Sequence, residues 1–338
     1  MTAIAELEPA PVRVSIVIKA LNEAQHIDAC VRSAVIAAQA VGGEVILADS
    51  GSSDGTVEIA AKHPILVVQL ANHDERRCGI GPQLGYEQAQ GEFIYILDGD
   101  MELDPEFLPV ALAAFDANPK LGGVAGLVEE TSEASYQFRA RQRRRREATP
   151  GPTEWLDMGG LYRAAAVRET GYLSDRNLHA YEEQDLGLRL GAHGWLLERL
   201  DQRSVRHHGY TDSSLALLKG RWRTGYLDGA GEMLRVSLGK PYFWRVVMAF
   251  KHLFVGLALW AGLLLGLLLL PVTPWVLGAV ALAVLGLIAV RVARGSTLAD
   301  ACFAQVVWQT TALALIRGFF TPKVEQTRTV AAQVLARP

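Results

Sequence analysis

Cysteine is scarce in this chain: Cys30, Cys78 and Cys302 stand far apart in 338 residues. They have neither the short spacing of a zinc site nor the even number of a disulfide framework, which removes both as organising principles and suits a reducing compartment. An excess of either charge is also missing, with 33 Lys and Arg against 36 Asp and Glu. So close a balance names no partner, and nucleic acid in particular is not indicated. Met1 to Pro11 lack the basic stretch and apolar core of a secretion signal; with acidic residues and two prolines they read as a disordered lead-in, residues 1–11. Charge itself is missing near the C-terminus, where Phe254 to Leu270 run for 17 residues without any. A second uncharged run goes from Trp275 to Val290.

The chain is long enough for one large domain of about 200 residues with a sizeable core, plus something smaller. In its first third, apolar runs end repeatedly in acidic or amide side chains. Phe93-Ile94-Tyr95-Ile96-Leu97 leads into Asp98-Gly99-Asp100, Val14 to Ile18 leads into Lys19-Ala20-Leu21-Asn22-Glu23, and Glu44 to Ala48 leads into Asp49. The unbroken apolar run Phe93 to Leu97 suits a buried strand of a parallel sheet, and the other two are strand-like. Ligands of open α/β sheets bind beyond the carboxyl ends of the strands. Between the strands, Ile27, Val31, Ala34, Val35 and Ala38 recur at helical spacing. Turn and capping chemistry explains one such acidic loop; three at the same end of one sheet point to a shared nucleotide site. Two hard oxygen ligands after one strand suit Mg2+ or Mn2+ carrying phosphate oxygens.

Asn22-Glu23, Asp49-Ser-Gly-Ser-Ser-Asp54-Gly-Thr and Asp98-Gly-Asp100, taken together, resemble a family 2 glycosyltransferase with the GT-A fold, of the membrane-anchored, non-processive type. Tyr181-Glu182-Glu183-Gln184-Asp185-Leu186, followed by Arg189, resembles the acidic base motif of that family. The resemblance covers roughly residues 12 to 225. It implies a Rossmann-like, mostly parallel mixed sheet with flanking helices over residues 12–212. It also implies that Ala20, Asn22, Glu23, Asp49 and Asp54 hold the nucleoside of a UDP-, GDP- or dTDP-sugar. Asp98 then lies on the nucleotide-sugar side, and Asp100 is the metal ligand, with Asp98 a further candidate. Apart from the resemblance, His207-His208 point to opposite faces of a strand, so one of them, with His208 the candidate, is placed to reach the metal or the diphosphate. Carboxylates accept the hydrogen bonds that a base and a ribose donate, and a metal neutralises the leaving diphosphate.

An attacking acceptor hydroxyl must lose its proton, and a placed carboxylate takes it. Glu183 is the expected base and Asp185 the alternative; first-turn carboxylates also offset a helix dipole, which is sufficient explanation for one of them. Gly159-Gly160 resembles the family's glycine-containing segment lining donor sugar and acceptor, or is a plain tight turn; Asp157 is a weaker candidate. Arg221-Trp222 resembles the end of the Gln-x-x-Arg-Trp motif of processive members, but Leu218 stands where the glutamine would be. They are candidates for acceptor or diphosphate contact, or anchors at the membrane surface.

The two uncharged runs are expected to be transmembrane helices within residues 251–295, joined by Pro271-Val272-Thr273-Pro274 as an antiparallel pair. Residues 213–250 mix aromatic and basic side chains, as helices at the headgroup boundary do. Lys240, Arg245 and Lys251 precede the first run and Arg291 and Arg294 follow the second, which places the catalytic domain in the cytoplasm at the inner membrane. Leu298 to Phe320 is either interfacial, the preferred reading, or a third span, and residues 321–338 form a cytoplasmic tail. Arg139 to Arg146 is a basic run suited either to a solvated loop or to gripping anionic lipid. The expected activity is inverting transfer of a sugar to a lipid-linked or membrane-proximal acceptor in envelope polysaccharide or glycolipid synthesis. Its alternatives are a polyprenyl-phosphate glycosyl synthase and a non-catalytic nucleotide-sugar-binding scaffold.

Overall fold

The computed structural model describes residues 11–131, 149–157, 159–209 and 213–338. The basic run Arg139 to Arg146 and nearly all of the 1–11 lead lie outside the described residues. Strands β1 (Val14–Ala20), β2 (Glu44–Asp49), β3 (Leu66–Leu70) and β4 (Phe93–Asp98) form a parallel group, with β1 between β2 and β4. β5 (Met101–Leu103), β6 (Leu121–Glu130), β7 (Gly151–Thr153), β8 (Gly160–Arg163) and β9 (Leu196–His207) extend it on the far side of β4, mostly antiparallel. Along the sheet the order is β10, β3, β2, β1, β4, β8, β6, β9, β5, where β10 is Ala332–Ala336.

The alternation of strand side chains builds two apolar layers. Val14, Ile16 and Ile18 of β1 face α1 (Ile27–Val41), whose Ile27, Val31 and Ala34 are fully buried. Val17 faces the other way, with Ile46, Ile94 and Leu84. Gly85 lies so close to Val17 that a Cβ there would meet a Val17 methyl at 2.2 Å. That contact sets α3 (Ile80–Tyr86) hard against the sheet, α2 (Thr56–Ala60) having followed β2. α4 (Phe107–Ala117) joins the first layer, while α5 (Ala164–Glu169) and α6 (Glu182–Ala192) join the second. Because β1, β2 and β4 are parallel and in register, Ala20, Asp49 and Asp98 arrive at one edge of the sheet.

Three short helices follow: α7 (Ser214–Arg223), α8 (Gly229–Val236) and α9 (Phe243–Ala249). Beyond them α10 (Lys251–Leu268) and α11 (Trp275–Ala293) pack as a hairpin, Gly262 against Val280 and Gly266 against Leu277. α12 (Leu298–Phe320) is the third helix long and apolar enough to cross a membrane. It meets the near ends of that hairpin: Trp308 packs on His252 at 5.4 Å and beneath Arg291 at 4.3 Å, and Ala312 abuts Gly256. Its last turns are fixed to α8, where a Cβ on Gly231 would meet the Leu315 carbonyl oxygen at 2.0 Å and Arg317 pairs with Asp228 at 2.7 Å.

The sheet outgrows the 12–212 boundary expected from sequence. Residues 321–338, expected as a tail, return to the sheet domain instead. Asn177 donates to the Val324 carbonyl oxygen at 2.9 Å, Arg176 donates to the carbonyl oxygens of Arg328 and Thr329, and Glu87 accepts from Val330 N–H at 2.9 Å. β10 then pairs antiparallel with β3, covering an edge that would otherwise present unpaired N–H and C=O groups.

Candidate functional site

The loops after β1 and β2 are tied to each other. Asn22 takes a left-handed backbone, φ 57°, and its side-chain oxygen accepts from Ser53 N–H at 2.9 Å. Asp54 accepts from Ala24 N–H at 3.0 Å and from the Thr56 hydroxyl at 2.5 Å, and Thr56 in turn accepts from Glu23 N–H. Asp49 is fully buried, and its carboxylate collects Gly51 N–H, Ser52 N–H and the Gln69 amide at 2.8 to 2.9 Å. These residues therefore shape a rigid, backbone-rich rim at the carboxyl edge of the sheet, with Ala20 buried behind it.

Lys19, unremarked in the sequence except as the end of a strand, joins Asp98 to the acidic helix. Its Nζ lies 3.2 Å from Asp98, 3.1 Å from Glu182 and 3.5 Å from Glu183. One buried ammonium among three carboxylates explains how they coexist. Burial pushes the Asp98 carboxyl up while Lys19 opposes the rise. For Glu183, burial and the neighbouring Glu182 push the carboxyl up to about 7, again against Lys19. Asp185 does not join this cluster. It is completely buried and bonds Arg189 at 2.8 Å. Arg189 also reaches Thr170 and the carbonyl oxygens of Tyr172 and Leu173, so the pair fastens α6 to the segment before it.

Asp100 receives His207 Nε2 at 3.1 Å, and His207 Nδ1 meets Glu130 at 2.5 Å. Burial opposes charge on His207, but the two carboxylates prevail and its pKa rises to about 9. His208, the histidine singled out from sequence, goes elsewhere: it bonds Glu102 at 2.6 Å and stacks on His26, ring centroids 5.1 Å apart. Successive residues at a strand end point to opposite sides, so only one of the two side chains reaches the Asp100 carboxylate, while the His208 N–H donates to the Asp100 carbonyl oxygen at 2.9 Å. Nothing in the local sequence tells which.

Gly160, on β8, pairs with Ala125 of β6 and Gly159 has φ 77°; a Cβ at Gly159 would strike the Tyr95 hydroxyl at 2.9 Å. Asp157 is held by Arg199 at 2.9 Å. Arg221 and Trp222 lie on α7: Arg221 stacks on Tyr226 just after the helix at 4.6 Å, and Trp222 meets α12, where Arg317 stacks on its ring at 4.2 Å. Among the described residues, no three His, Cys, Asp or Glu converge as a closed metal cage. Asp98 and Asp100 at one turn nevertheless fit a hard divalent cation, which in phosphate sites takes one or two carboxylates and completes its shell with substrate oxygens and water.

Residues 15–170 match the family described as "Glycosyl transferase family 2". An undecaprenyl-phosphate 4-deoxy-4-formamido-L-arabinose transferase from Salmonella paratyphi B is 29% identical over 119 residues, covering 32% of this chain and 36% of that enzyme. This chain thus spans about a third of the length of the curated relatives it matches. Among solved structures, the mannosyltransferase PcManGT from Pyrobaculum calidifontis, in complex with GDP-Man and Mn2+, superposes with a TM-score of 0.53 at 19% identity, over 92% of this chain and 88% of that one. That likeness shows the GT-A fold.

Proposed function

We propose, from residues 15–170 being a family 2 glycosyltransferase domain, that the chain transfers a sugar with inversion from a nucleotide diphosphate to a lipid-linked or membrane-proximal hydroxyl. The observation that carries this reading is Lys19, which brings the donor-side Asp98 and the acidic Glu182-Glu183 pair within reach of one ammonium group. The rim of Ala20, Asn22, Glu23, Asp49 and Asp54 receives base and ribose. Asp98 and Asp100 hold Mg2+ or Mn2+, which when bound supplies charge neutralisation for the diphosphate. His207, charged and braced by Glu130, keeps Asp100 aimed at that position. Glu183 takes the acceptor proton. With a pKa of about 7 it is half ionised at neutral pH, the range in which a general base works best. Gly160 leaves room for the sugar. Trp222 and Arg221 face the acceptor from the membrane side.

The membrane arrangement of this reading is supported by where the chain leaves and re-enters the domain. Phe250, just before α10, packs on Tyr181 at 5.0 Å, and residues 324–336, after α12, are bonded to the sheet. Both ends therefore stand on one side of the bilayer, and an even number of the three apolar helices crosses. α10 and α11 supply the two crossings, with mean hydropathy 1.8 and 2.5 against 1.2 for α12. α12 lies in the interface across the base of the hairpin. Basic flanks make that side the cytoplasm, so the protein is an inner-membrane enzyme with two spans.

A second reading is favoured by the relative's name, in which the acceptor is a lipid phosphate. A phosphate nucleophile carries no proton to remove, so the two readings part at Glu183. Glu183→Gln is assayed with lipid acceptors ending in a hydroxyl and in a phosphate. Loss of roughly a hundredfold or more with hydroxyl acceptors supports a general base; wild-type transfer only to the phosphate, untouched by Glu183→Gln, supports the synthase.

A further inference from the structure

Three consecutive residues lead the chain into α6, and each is gripped by an element that follows β9. Glu232 of α8, 1% exposed, accepts from His179 N–H at 2.9 Å and bonds the same residue's Nδ1 at 2.8 Å. Ala180 lies so close to α8 that a Cβ on Gly229 would meet its amide nitrogen at 2.8 Å. Tyr181 packs its ring edge-on against Phe250 at 5.0 Å, and Phe250 is the buried residue immediately before α10, the first helix of the apolar hairpin. The start of α8 is itself fixed to α12, where Arg317 pairs with Asp228 and a Cβ on Gly318 would strike the Asp228 carbonyl oxygen at 2.0 Å.

Tyr181 also takes a left-handed backbone, φ 72°, which a bulky L side chain adopts only where its surroundings force it. The force comes from both ends of the turn. On the C-terminal side, α6 is fixed to the sheet through Leu186 and Leu190 and to residues 170–173 through Arg189. On the N-terminal side, His179 and Ala180 are fixed to α8. A chain held on both sides cannot relax the one residue between them, and that residue delivers Glu182 and Glu183 directly to Lys19. The bonds of the donor rim, by contrast, run between the loops after β1 and β2. We infer that Tyr181 is a positioning residue for proton removal from the acceptor: its left-handed turn, locked by Phe250 at the root of the hairpin, aims the Glu182-Glu183 pair at Lys19, so that the base is in place only while the hairpin is seated. The consequence for catalysis rests on Glu183 being the base; the aim of the carboxylate is a property of the fold and is measurable without turnover.

The test uses full-length protein in phosphatidylcholine nanodiscs. Tyr181→Gly suits the turn but is not confined to it; it should lower kcat for transfer to a hydroxyl acceptor about tenfold to a hundredfold, the cost of misplacing a catalytic group, and leave the donor KM unchanged. Tyr181→Phe, which keeps the ring against Phe250, should recover most of that loss. Phe250→Leu should lower kcat as well, and the double variant Tyr181→Gly with Phe250→Leu no further than the worse single, because both break the same contact. Independently of turnover, the aim of Glu183 is read from Glu183→Gln. Burial and Glu182 push the Glu183 carboxyl up to about 7, so removing its charge stabilises the fold at pH 8. In the Tyr181→Gly background that gain in thermal midpoint should shrink by about half or more, since the carboxylate is no longer held there. A gain of the same size in both backgrounds overturns the inference, and so does an unchanged kcat for Tyr181→Gly in an active enzyme or a Tyr181→Phe as slow as Tyr181→Gly. Wild-type protein that transfers no sugar while the gain shrinks as expected keeps the aim of Glu183 and removes the glycosyltransferase reading; sugar transfer with a gain that does not shrink removes the positioning alone.

Discussion

Replacing Glu183 with glutamine should make the protein more stable as it makes it inactive. In the folded state, burial and Glu182 raise the Glu183 carboxyl from an ordinary 4.5 to about 7. A carboxyl with a raised pKa binds its proton more tightly folded than unfolded, so stability falls as pH rises from about 4.5 and levels off above about 7. Each tenfold change in proton affinity is worth about 1.36 kcal/mol, so the ionised Glu183 costs the fold about 2–3 kcal/mol at pH 8, allowing for its partial exposure. Glutamine has the same shape, still accepts from Lys19, and carries no such cost. Thermal unfolding of wild type and Glu183→Gln, followed by intrinsic fluorescence at pH 8 and at pH 4.5, should show the variant several degrees more stable at pH 8 and the two alike at pH 4.5. In the same pair of proteins, wild-type transfer to a hydroxyl acceptor should rise with pH through about 7, and the variant should lose it. A variant that melts at or below the wild-type temperature at pH 8 would mean that Glu183 ionises without penalty, and the poised base would have to be abandoned.

His207 has the opposite sign. Its pKa is raised from 6.5 to about 9, so its contribution of about 3 kcal/mol is fully present below pH 6.5 and is lost as pH climbs through 9. His207→Asn should therefore be destabilised at pH 6 and indistinguishable from wild type above pH 10, as read by chemical denaturation at each pH. Asp185→Asn leaves Arg189 buried without its counter-charge and should cost about 3 kcal/mol of stability, the usual penalty for breaking one partner from a buried pair. The pH midpoint of its residual activity should stay where the wild type has it; a moved midpoint would bring Asp185 into the proton transfer. Gly318→Val, whose side chain would collide with the Asp228 carbonyl oxygen already 2.0 Å from a Cβ position, should loosen α12 from the catalytic domain. Protease cleavage after Lys323 and Arg328 should then speed up, and an unchanged rate would show that α12 is not held there.

The parts of this fold that could be read in advance are those whose physics is local. Phe93 to Leu97, and Val14 to Ile18 apart from Ser15, are apolar because both faces of those strands are buried, and the same burial fixes their side-by-side register, so Ala20, Asp49 and Asp98 could be placed at one edge. The α10–α11 hairpin is equally visible, since two leucine-rich runs have only a four-residue break between them. Lys19 was hidden because a lysine at a strand end is ordinarily a solvated stop; its meaning comes from Glu182 and Glu183, more than 160 residues away in sequence. His207 and His208 are identical in composition and differ only in which face of β9 they leave from. β10 has five residues, most of them exposed, and no strong alternation; only the open edge of β3 makes it a strand.

The measurement to make first is nucleoside diphosphate release by detergent-purified protein from a panel of UDP-, GDP- and dTDP-sugars with Mg2+ or Mn2+, with and without membrane lipid extract. Release from one donor, stimulated by lipid and abolished by EDTA and by Asp100→Asn, is the expected result. Folded protein that releases nothing from any donor with the extract present, or releases it equally well as Asp100→Asn, would mean that the acidic edge of this sheet does not perform glycosyl transfer.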